Sequence, residues 1–515
     1  MKRWSFALSI IGVACMMLGA AWVASLLNGK SSGEVLQNSL SGQENTGEIS
    51  FSLPSGLYEG GTDISLSADA EDIFYTLDGS EPTEQSTRYT APLQISDTTV
   101  IRAAAKLADG TLTPPYMQTY LTGPNDLPVI SVAAEPEDLW SEEKGIYVEG
   151  PGASDEYPYE GANYWMDWKI TVQMEYLKDQ ESVYSSLADM EIFGGETRTK
   201  PQRSFMIDAE SEYGNSELLY PFFDSLPYSS YESIILRNGG QDFEKTHMLD
   251  ALVSTLAAEI GLDAQVYQPV VLYLNGAYWG LYDLRERIDH HYFSRHHQVN
   301  QDDLVLLEAD AEEKEGSDES YIGMIAYIQS NEPAEPEVYK VIEEEMDIEN
   351  FIDYILTELY IGNTDWPSHN IRFWKNTNPE TKWKWIVYDS DVSFQDATEN
   401  TVQRFYDYKG KGDDKLYSSY LFRELLKNEQ FRERFKERSE ELYSSTLSSD
   451  HIEAVIERLA DDIRPEMERH LEKWGGNPEK WEAEVQALKT FARERNDYMT
   501  RHIDELLNQY QQGGS

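Results

Sequence analysis

Residues 363–374 read Asn363-Thr364-Asp365-Trp366-Pro367-Ser368-His369-Asn370-Ile371-Arg372-Phe373-Trp374. One hairpin further on, residues 385–394 read Trp385-Ile386-Val387-Tyr388-Asp389-Ser390-Asp391-Val392-Ser393-Phe394. The first stretch leaves an amphipathic helix predicted over 350–361 and enters a strand, so Asp365 and Asn370 share a loop. An Asp with an Asn five positions later matches the spacing of a phosphoryl-transfer catalytic loop. There the Asp accepts the proton of the attacking hydroxyl and the Asn holds a metal ion. The second stretch puts two carboxylates at i and i+2 where a strand predicted over 382–388 ends, and both can reach one hard cation through oxygen. Each pattern alone arises readily by chance; it is their order, each at the mouth of a strand, that points to a metal–phosphate site. The competing reading is an Asx-turn at Asp365 and a helix N-cap at Asp391.

Upstream, the half-chain from 127 is mixed. Strands are predicted at 127–132, 164–176, 204–207 and 233–237. Apolar residues at Leu249, Leu252, Val253, Leu256, Ala257 and Ile260 predict a helix over 248–260, ended by Gly261 as a C-cap. Strands at 266–274 and 277–284 are joined at Asn275-Gly276, a strong hairpin signal. Strands, one helix and a hairpin suit the smaller lobe of a kinase. Such a lobe needs a cation on the phosphates, and the candidates are Arg198, Lys200 and Arg203. Downstream the chain is helical, with predicted helices at 452–463, 464–473 and 481–507. The acidic stretch 308–319 reads as a surface insertion. His290, His291, His296 and His297 read as a solvated helix end rather than a metal site, because adjacent pairs point apart. There is no Gly-x-x-x-x-Gly-Lys, Gly-x-Gly-x-x-Gly, His-Glu-x-x-His or Gly-x-Ser-x-Gly.

At the N-terminus, Lys2-Arg3 precedes an apolar run over 4–27. At about 24 residues it exceeds an ordinary signal-peptide core and suits a helix crossing about 30 Å of bilayer. Residues 1–29 are therefore expected to be a signal anchor, or a signal peptide if cleaved, leaving the rest exported. The single cysteine, Cys15, lies in this run, which excludes disulfides and thiolate chemistry elsewhere. Residues 30–48 read as a flexible spacer. Over 49–122, short alternating strands with turns about every ten residues predict a small β-sandwich.

The sequence has 515 residues, with 42 Lys+Arg against 93 Asp+Glu, a net charge of −51. Hydrophobic residues make up 40%, enough for a packed core, so wholesale disorder is excluded. So acidic a chain repels nucleic acid and anionic lipid, leaving membrane contact to the N-terminal helix alone.

Residues 49–122 resemble the C-terminal β-sandwich module of chitobiase and β-hexosaminidase enzymes. The resemblance rests on Tyr75-Thr76-Leu77-Asp78-Gly79-Ser80-Glu81-Pro82-Thr83, Tyr89-Thr90-Ala91-Pro92-Leu93 and Val100-Ile101-Arg102-Ala103. Residues 127–512 resemble the spore coat protein H (CotH) kinase family. The matching stretches are Leu127-Pro128-Val129-Ile130-Ser131, Gly194-Gly195-Glu196-Thr197-Arg198, Pro201-Gln202-Arg203-Ser204-Phe205 and Leu236-Arg237-Asn238-Gly239-Gly240. They continue with Tyr278-Trp279-Gly280-Leu281-Tyr282-Asp283-Leu284-Arg285-Glu286, Asn363-Thr364-Asp365-Trp366 and Tyr388-Asp389-Ser390-Asp391.

The resemblance implies an α+β, two-lobed atypical kinase-like domain with a helical C-terminal part. It implies transfer of phosphate from ATP, with Mg²⁺ or Mn²⁺, to Ser or Thr of surface or coat proteins, the chain itself included. Asp365 is then the catalytic base and Asn370, Asp389 and Asp391 the metal ligands. Arg198, Lys200, Arg203 and Glu286 serve the nucleotide, and Asp250 or Glu259 pairs with the phosphate-binding cation. Where the family places Lys before Ser-Phe, this chain has Arg203, whose planar fork is not an ammonium point charge. The alternative is a weak or inactive kinase-fold surface protein acting as a structural or cell-wall glycan-binding module through 49–122. The charge favours a basic, Ser-rich protein substrate.

Overall fold

The computed structural model describes residues 47–512 apart from 59, 215 and 411–416. The signal anchor read at 1–29, and nearly all of the spacer, lie outside the described residues. Among the described residues no helix is long and apolar enough to cross a membrane.

Seven strands form the centre: β1 (Val129–Ala134), β2 (Ile170–Lys178), β3 (Glu181–Phe193), β4 (Ser204–Asp208), β5 (Ser233–Arg237), β6 (Gln268–Leu274) and β7 (Ala277–Arg285). β1 pairs antiparallel with β2 and parallel with β6. From β6 the antiparallel order runs β7, β5, β4, β3, and β3 returns to β2. The ladder closes on itself, so this sheet becomes a barrel. Side chains of one parity fill it: Ile130, Val132 and Ala134 from β1, Val172, Met174 and Tyr176 from β2, Phe205 and Ile207 from β4, Tyr282 and Leu284 from β7. Asn275 and Gly276, at φ 50° and 78°, make the tight β6–β7 turn. The strand expected from 164 starts at Ile170, after a short 3-10 turn at Asn163–Trp165. The 13-residue β3 has no counterpart in the sequence reading.

Ahead of the barrel, two small ladders, Ser50–Phe51 with Leu66–Ser67 and Thr62–Ile64 with Leu93–Ile95, cover a sheet built on Asp72–Thr76, Thr99–Lys106 and Tyr116–Leu121. Ile64, Leu66, Ile95, Ile101 and Ala103 lie between them. This region is joined to the barrel rather than strung from it. Gly56–Leu57 bridges Tyr120–Leu121 to Glu181 at the start of β3. The buried Glu175 of β2 accepts from the Ser55 hydroxyl at 2.6 Å, and Thr119 donates to Ser131 at 2.9 Å.

Helix α1 (Leu249–Ile260) ends at Gly261, φ 98°, as its C-cap signal predicts. Its position differs from the expectation that it belongs to the strand-rich lobe. Leu252, Val253 and Leu256 pack into the C-terminal helical core, not the barrel. Beyond α2 (His290–His297) come β8 (Leu304–Glu308) and β9 (Glu312–Glu315), then α3 (Ile348–Ile361), β10 (Arg372–Asn376) and β11 (Lys384–Ile386). The four strands form an antiparallel sheet in the order β9, β8, β10, β11. The acidic stretch 308–319 is thus an edge hairpin, and it sends Lys314 and Glu315 toward the cleft. Two helices expected at 452–463 and 464–473 are one, α4 (Ser449–Trp474), which runs through Pro465. Glu466, His470 and Trp474 of α4 bond Tyr278, the Leu281 N–H and the Trp279 carbonyl, bracing the β6–β7 hairpin. The result is a mixed α/β chain with a β-rich N-terminal region and a helical C-terminal region. The candidate site lies at the seam between barrel and helical core.

Candidate active site

α3 ends at Gly362, φ 66°, and the next residues turn back toward β10. Asn363 is buried, and its Oδ1 accepts from the Asp365 N–H at 3.1 Å. Trp366 is buried against Phe405, ring centroids 4.2 Å apart, and anchors the loop. Arg404 donates to the carbonyls of Asn363 and Trp366. With its main chain held on both sides, the Asp365 carboxylate is left exposed to solvent.

The loop is tied to the second acidic segment. The Nδ2 groups of Asn363 and Asn370 both donate to the Asp389 carbonyl, at 3.3 and 2.8 Å. Asp389 and Asn370 both have positive φ, 53° and 58°, a conformation that Asn and Asp tolerate better than most residues. Ser390, between the two carboxylates, donates its N–H to Asp250 of α1 at 2.8 Å. Asp250 also pairs with Arg285 at 2.7 Å, and Arg285 lies 3.6 Å from Asp283. Burial pushes the Asp250 carboxyl up, but Arg285 and Arg237 outweigh it and hold it below its ordinary value. Asp283, also buried, is pushed up to about 7 against the pull of Arg285.

From the barrel, Arg237 at the end of β5 reaches both acidic side chains. Its Nη2 lies 2.6 Å from Asp389 Oδ1 and 2.6 Å from Asp391 Oδ2. The Gln241 N–H donates to Asp391 at 2.9 Å. Burial, stronger than the pull of Arg237, pushes the Asp391 carboxyl up to about 7. Gly240 permits this approach: at φ 65°, a Cβ placed on it would lie 1.8 Å from Asp391 Oδ2. Gly240→Ala is therefore expected to destabilise the fold by about 2 kcal/mol in urea denaturation, through backbone strain and displacement of Asp391. A variant as stable as wild type would show that the turn relaxes freely.

Beside this cluster, between the barrel ends and the β8–β9–β10 sheet, lies a cavity of about 260 Å³. Arg237, Arg285, Arg287, Lys314 and Arg372 face it, with only Asp289 and Glu315 as acids; Ile235, Ile288 and Leu306 add an apolar wall. Arg372 is held over the Tyr388 ring at 3.9 Å and bonded to Glu308 at 3.0 Å. Each of the five is paired with an acid, but most of those acids lie behind the wall, so in a chain of charge −51 the lining itself is cationic with an apolar flank, suited to a phosphorylated aromatic base.

The cations expected at the phosphates are elsewhere. Arg203 is enclosed by Tyr147 and Tyr164, 4.7 and 4.3 Å from their ring centroids. It shares the parity of Phe205 and Ile207, which point into the barrel. Arg198 pairs with Asp167 at 3.1 Å and bonds the Gly194 carbonyl at 2.6 Å. Lys200 is half-buried in the same loop and makes no ion pair among the described residues. None of the three lines the cavity. Glu286 is also turned away. It has the parity of Leu284, is fully buried, and meets His296 at 3.0 Å and Arg295 at 3.4 Å, while Arg285 and Arg287 on the opposite face line the cavity. Of the two acids on α1, Asp250 takes Arg285, a cation the sequence reading did not name, and Glu259 takes His451 at 2.5 Å. The four histidines of α2 each face a separate acid, Glu315, Glu232, Glu286 and Asp263. Among the described residues no three His, Cys, Asp or Glu converge as a metal cluster. The five cavity cations were missed although Arg237 and Arg285 each end a run of buried strand residues, the one local signal they carry.

The model of the CotH kinase protein family matches residues 190–499, and that of the chitobiase/β-hexosaminidase C-terminal domain matches residues 53–116. No curated protein matches the chain. Among solved structures, that of a Helicobacter pylori proinflammatory kinase, CtkA, is similar over 56% of this chain and 94% of its own, at 14% identity and a TM-score of 0.28. The family model takes in more than half of the chain, from the end of β3 through both acidic segments and into the C-terminal helix Pro478–Gln512, and the protein therefore belongs to the CotH kinase family.

Proposed function

We propose that the protein transfers the γ-phosphate of ATP to Ser or Thr hydroxyls of proteins at the cell surface, its own chain included. The observation that carries this is the cationic cavity next to two carboxylates that are themselves tied to the Asp365 loop. Asp389 and Asp391 offer hard oxygens already gathered around one positive charge, Arg237. With the Asn370 amide oxygen they fit a Mg²⁺ or Mn²⁺ ion that shares its remaining positions with phosphates and water. Bound there, the metal would neutralise charge on the transferring phosphate. Arg285, Arg287, Lys314 and Arg372 receive the nucleotide's anionic oxygens. Asp365, exposed on its rigid loop, takes the proton from the attacking hydroxyl as the new O–P bond forms and the bond to the β-phosphate oxygen breaks, releasing ADP. A basic, Ser-rich substrate suits so acidic a chain, and the apolar run at 4–27 supports export with a membrane tether.

A second reading, a kinase fold that no longer transfers phosphate, is favoured by one observation: Arg203 is locked between two tyrosines. On that reading the N-terminal module would bind cell-wall glycan. Thermal shift with ATP, with and without Mg²⁺, together with transfer of labelled phosphate to the chain or a basic Ser-rich protein, separates the two. Magnesium-dependent stabilisation with transfer is expected; neither effect at millimolar nucleotide would overturn the proposal.

A further inference from the structure

A single guanidinium nitrogen, Arg237 Nη2, sits 2.6 Å from one oxygen of Asp389 and 2.6 Å from one oxygen of Asp391. It fills the wedge between them. A divalent ion held by the same two oxygens, at the 2.0–2.1 Å usual for Mg²⁺, needs that wedge. The two cations therefore exclude each other there.

The arginine is also poorly satisfied where it is. An arginine–carboxylate pair is strongest as a two-nitrogen fork on one carboxylate. Here one nitrogen serves two acids, and Nε is buried with no partner. Arg237 also lines the cavity beside the site, so its side chain has a place to turn.

We propose that Arg237 is a latch. It neutralises Asp389 and Asp391 while the site is empty, gives way to the divalent ion, and turns into the cavity to meet the nucleotide's phosphates. The inference rests on reading Asp389 and Asp391 as metal ligands, and adds how their loading is controlled. Without nucleotide, the ion must displace Arg237 from both carboxylates it touches and leave it only the longer-range pull of Asp250 and the two acids of the cavity, which disfavours metal alone. With nucleotide, the displaced arginine finds phosphate oxygens. Metal and nucleotide are thus coupled through one side chain, and the coupling is reciprocal.

The test is Mn²⁺ binding by calorimetry to the full chain, alone and with a non-hydrolysable ATP analogue. Arg237→Gln is expected to bind Mn²⁺ alone at least about tenfold more tightly than wild type, because two unneutralised acids then await the ion. The further gain in Mn²⁺ affinity from the analogue should be smaller than in wild type. Unchanged or weaker Mn²⁺ binding by the variant overturns the latch. If wild type still transfers phosphate, the functional proposal survives that result; if wild type binds no Mn²⁺ even with the analogue, both fall. Should the variant not fold, wild type suffices. Phenylglyoxal labelling of Arg237, read by peptide mass spectrometry, is expected to rise when Mn²⁺ saturates the site. Labelling that stays flat at saturating Mn²⁺ overturns the latch equally.

Discussion

Asp365→Ala is expected to lower phosphate transfer by about 10²–10⁴-fold, the usual contribution of a positioned general base, while ATP–Mg²⁺ binding stays close to wild type. The separation follows from what holds the loop. The Asp365 side chain makes no hydrogen bond to the described chain, and its main chain is fixed by Asn363, Arg404 and the buried Trp366. Removing the carboxylate therefore takes away a proton acceptor and little else. Asp389→Asn should behave differently. It removes an oxygen of the proposed metal site and one of the two carboxylates that Arg237 touches, so metal-dependent nucleotide binding should fall along with the rate. Measuring kcat and nucleotide affinity for both variants gives the diagnosis: a loss confined to kcat marks the base, and a loss in both marks the metal ligand. Transfer by Asp365→Ala at more than about a tenth of the wild-type rate would remove Asp365 from the base role.

The acidic half of the site was legible because it is local. Asp365 and Asn370 lie on one loop, and Asp389 and Asp391 on one strand end, so spacing alone brings each pair together. The cationic half was not. Arg237, the pair Arg285 and Arg287, Lys314 and Arg372 come from four places in the chain, and only closure of the barrel against the second sheet gathers them. Arg203 misled because its neighbours in sequence fit a phosphate-binding strand. Yet parity decides direction on a strand, and Phe205 and Ile207 are barrel core. The same rule takes Glu286 away from the cleft and turns Arg285 into it. β3 escaped detection because its first half is mostly polar, with one face exposed and Tyr184 the one large side chain packing toward the core, and only Ala188, Met190 and Ile192 are fully buried in alternation. α1 was recognised by its period, but periodicity names a buried face without saying which core buries it.

Glu358→Gln should raise stability at pH 7 by ~3 kcal/mol and change it little near pH 4. Glu358 lies in α3, one turn before the loop that carries Asp365, and is fully buried with no hydrogen-bond partner on either oxygen. Burial pushes its carboxyl from the ordinary 4.5 up to about 8; the opposing charge is Arg404. That guanidinium is already committed to the Asn363 and Trp366 carbonyls and to Glu399. Between those two values the folded chain keeps a proton that the unfolded chain gives up. The folded state is therefore favoured at low pH, and this stabilisation is lost as pH rises from about 4.5 toward 8. Glutamine keeps the shape and stays neutral at every pH, so it removes the loss without opening a cavity. Other carboxylates titrate over the same range, which makes the difference between variant and wild type the useful quantity. Urea denaturation of both proteins at several pH values measures it: a gap that widens from pH 4 to pH 8 is expected, and a gap constant with pH would mean that Glu358 is ionised in the fold. Loss of the proton also has a consequence at the site. A charged Glu358 competes for Arg404, the residue that fixes the Asp365 loop, so transfer by wild type should weaken above pH 8 more steeply than transfer by Glu358→Gln.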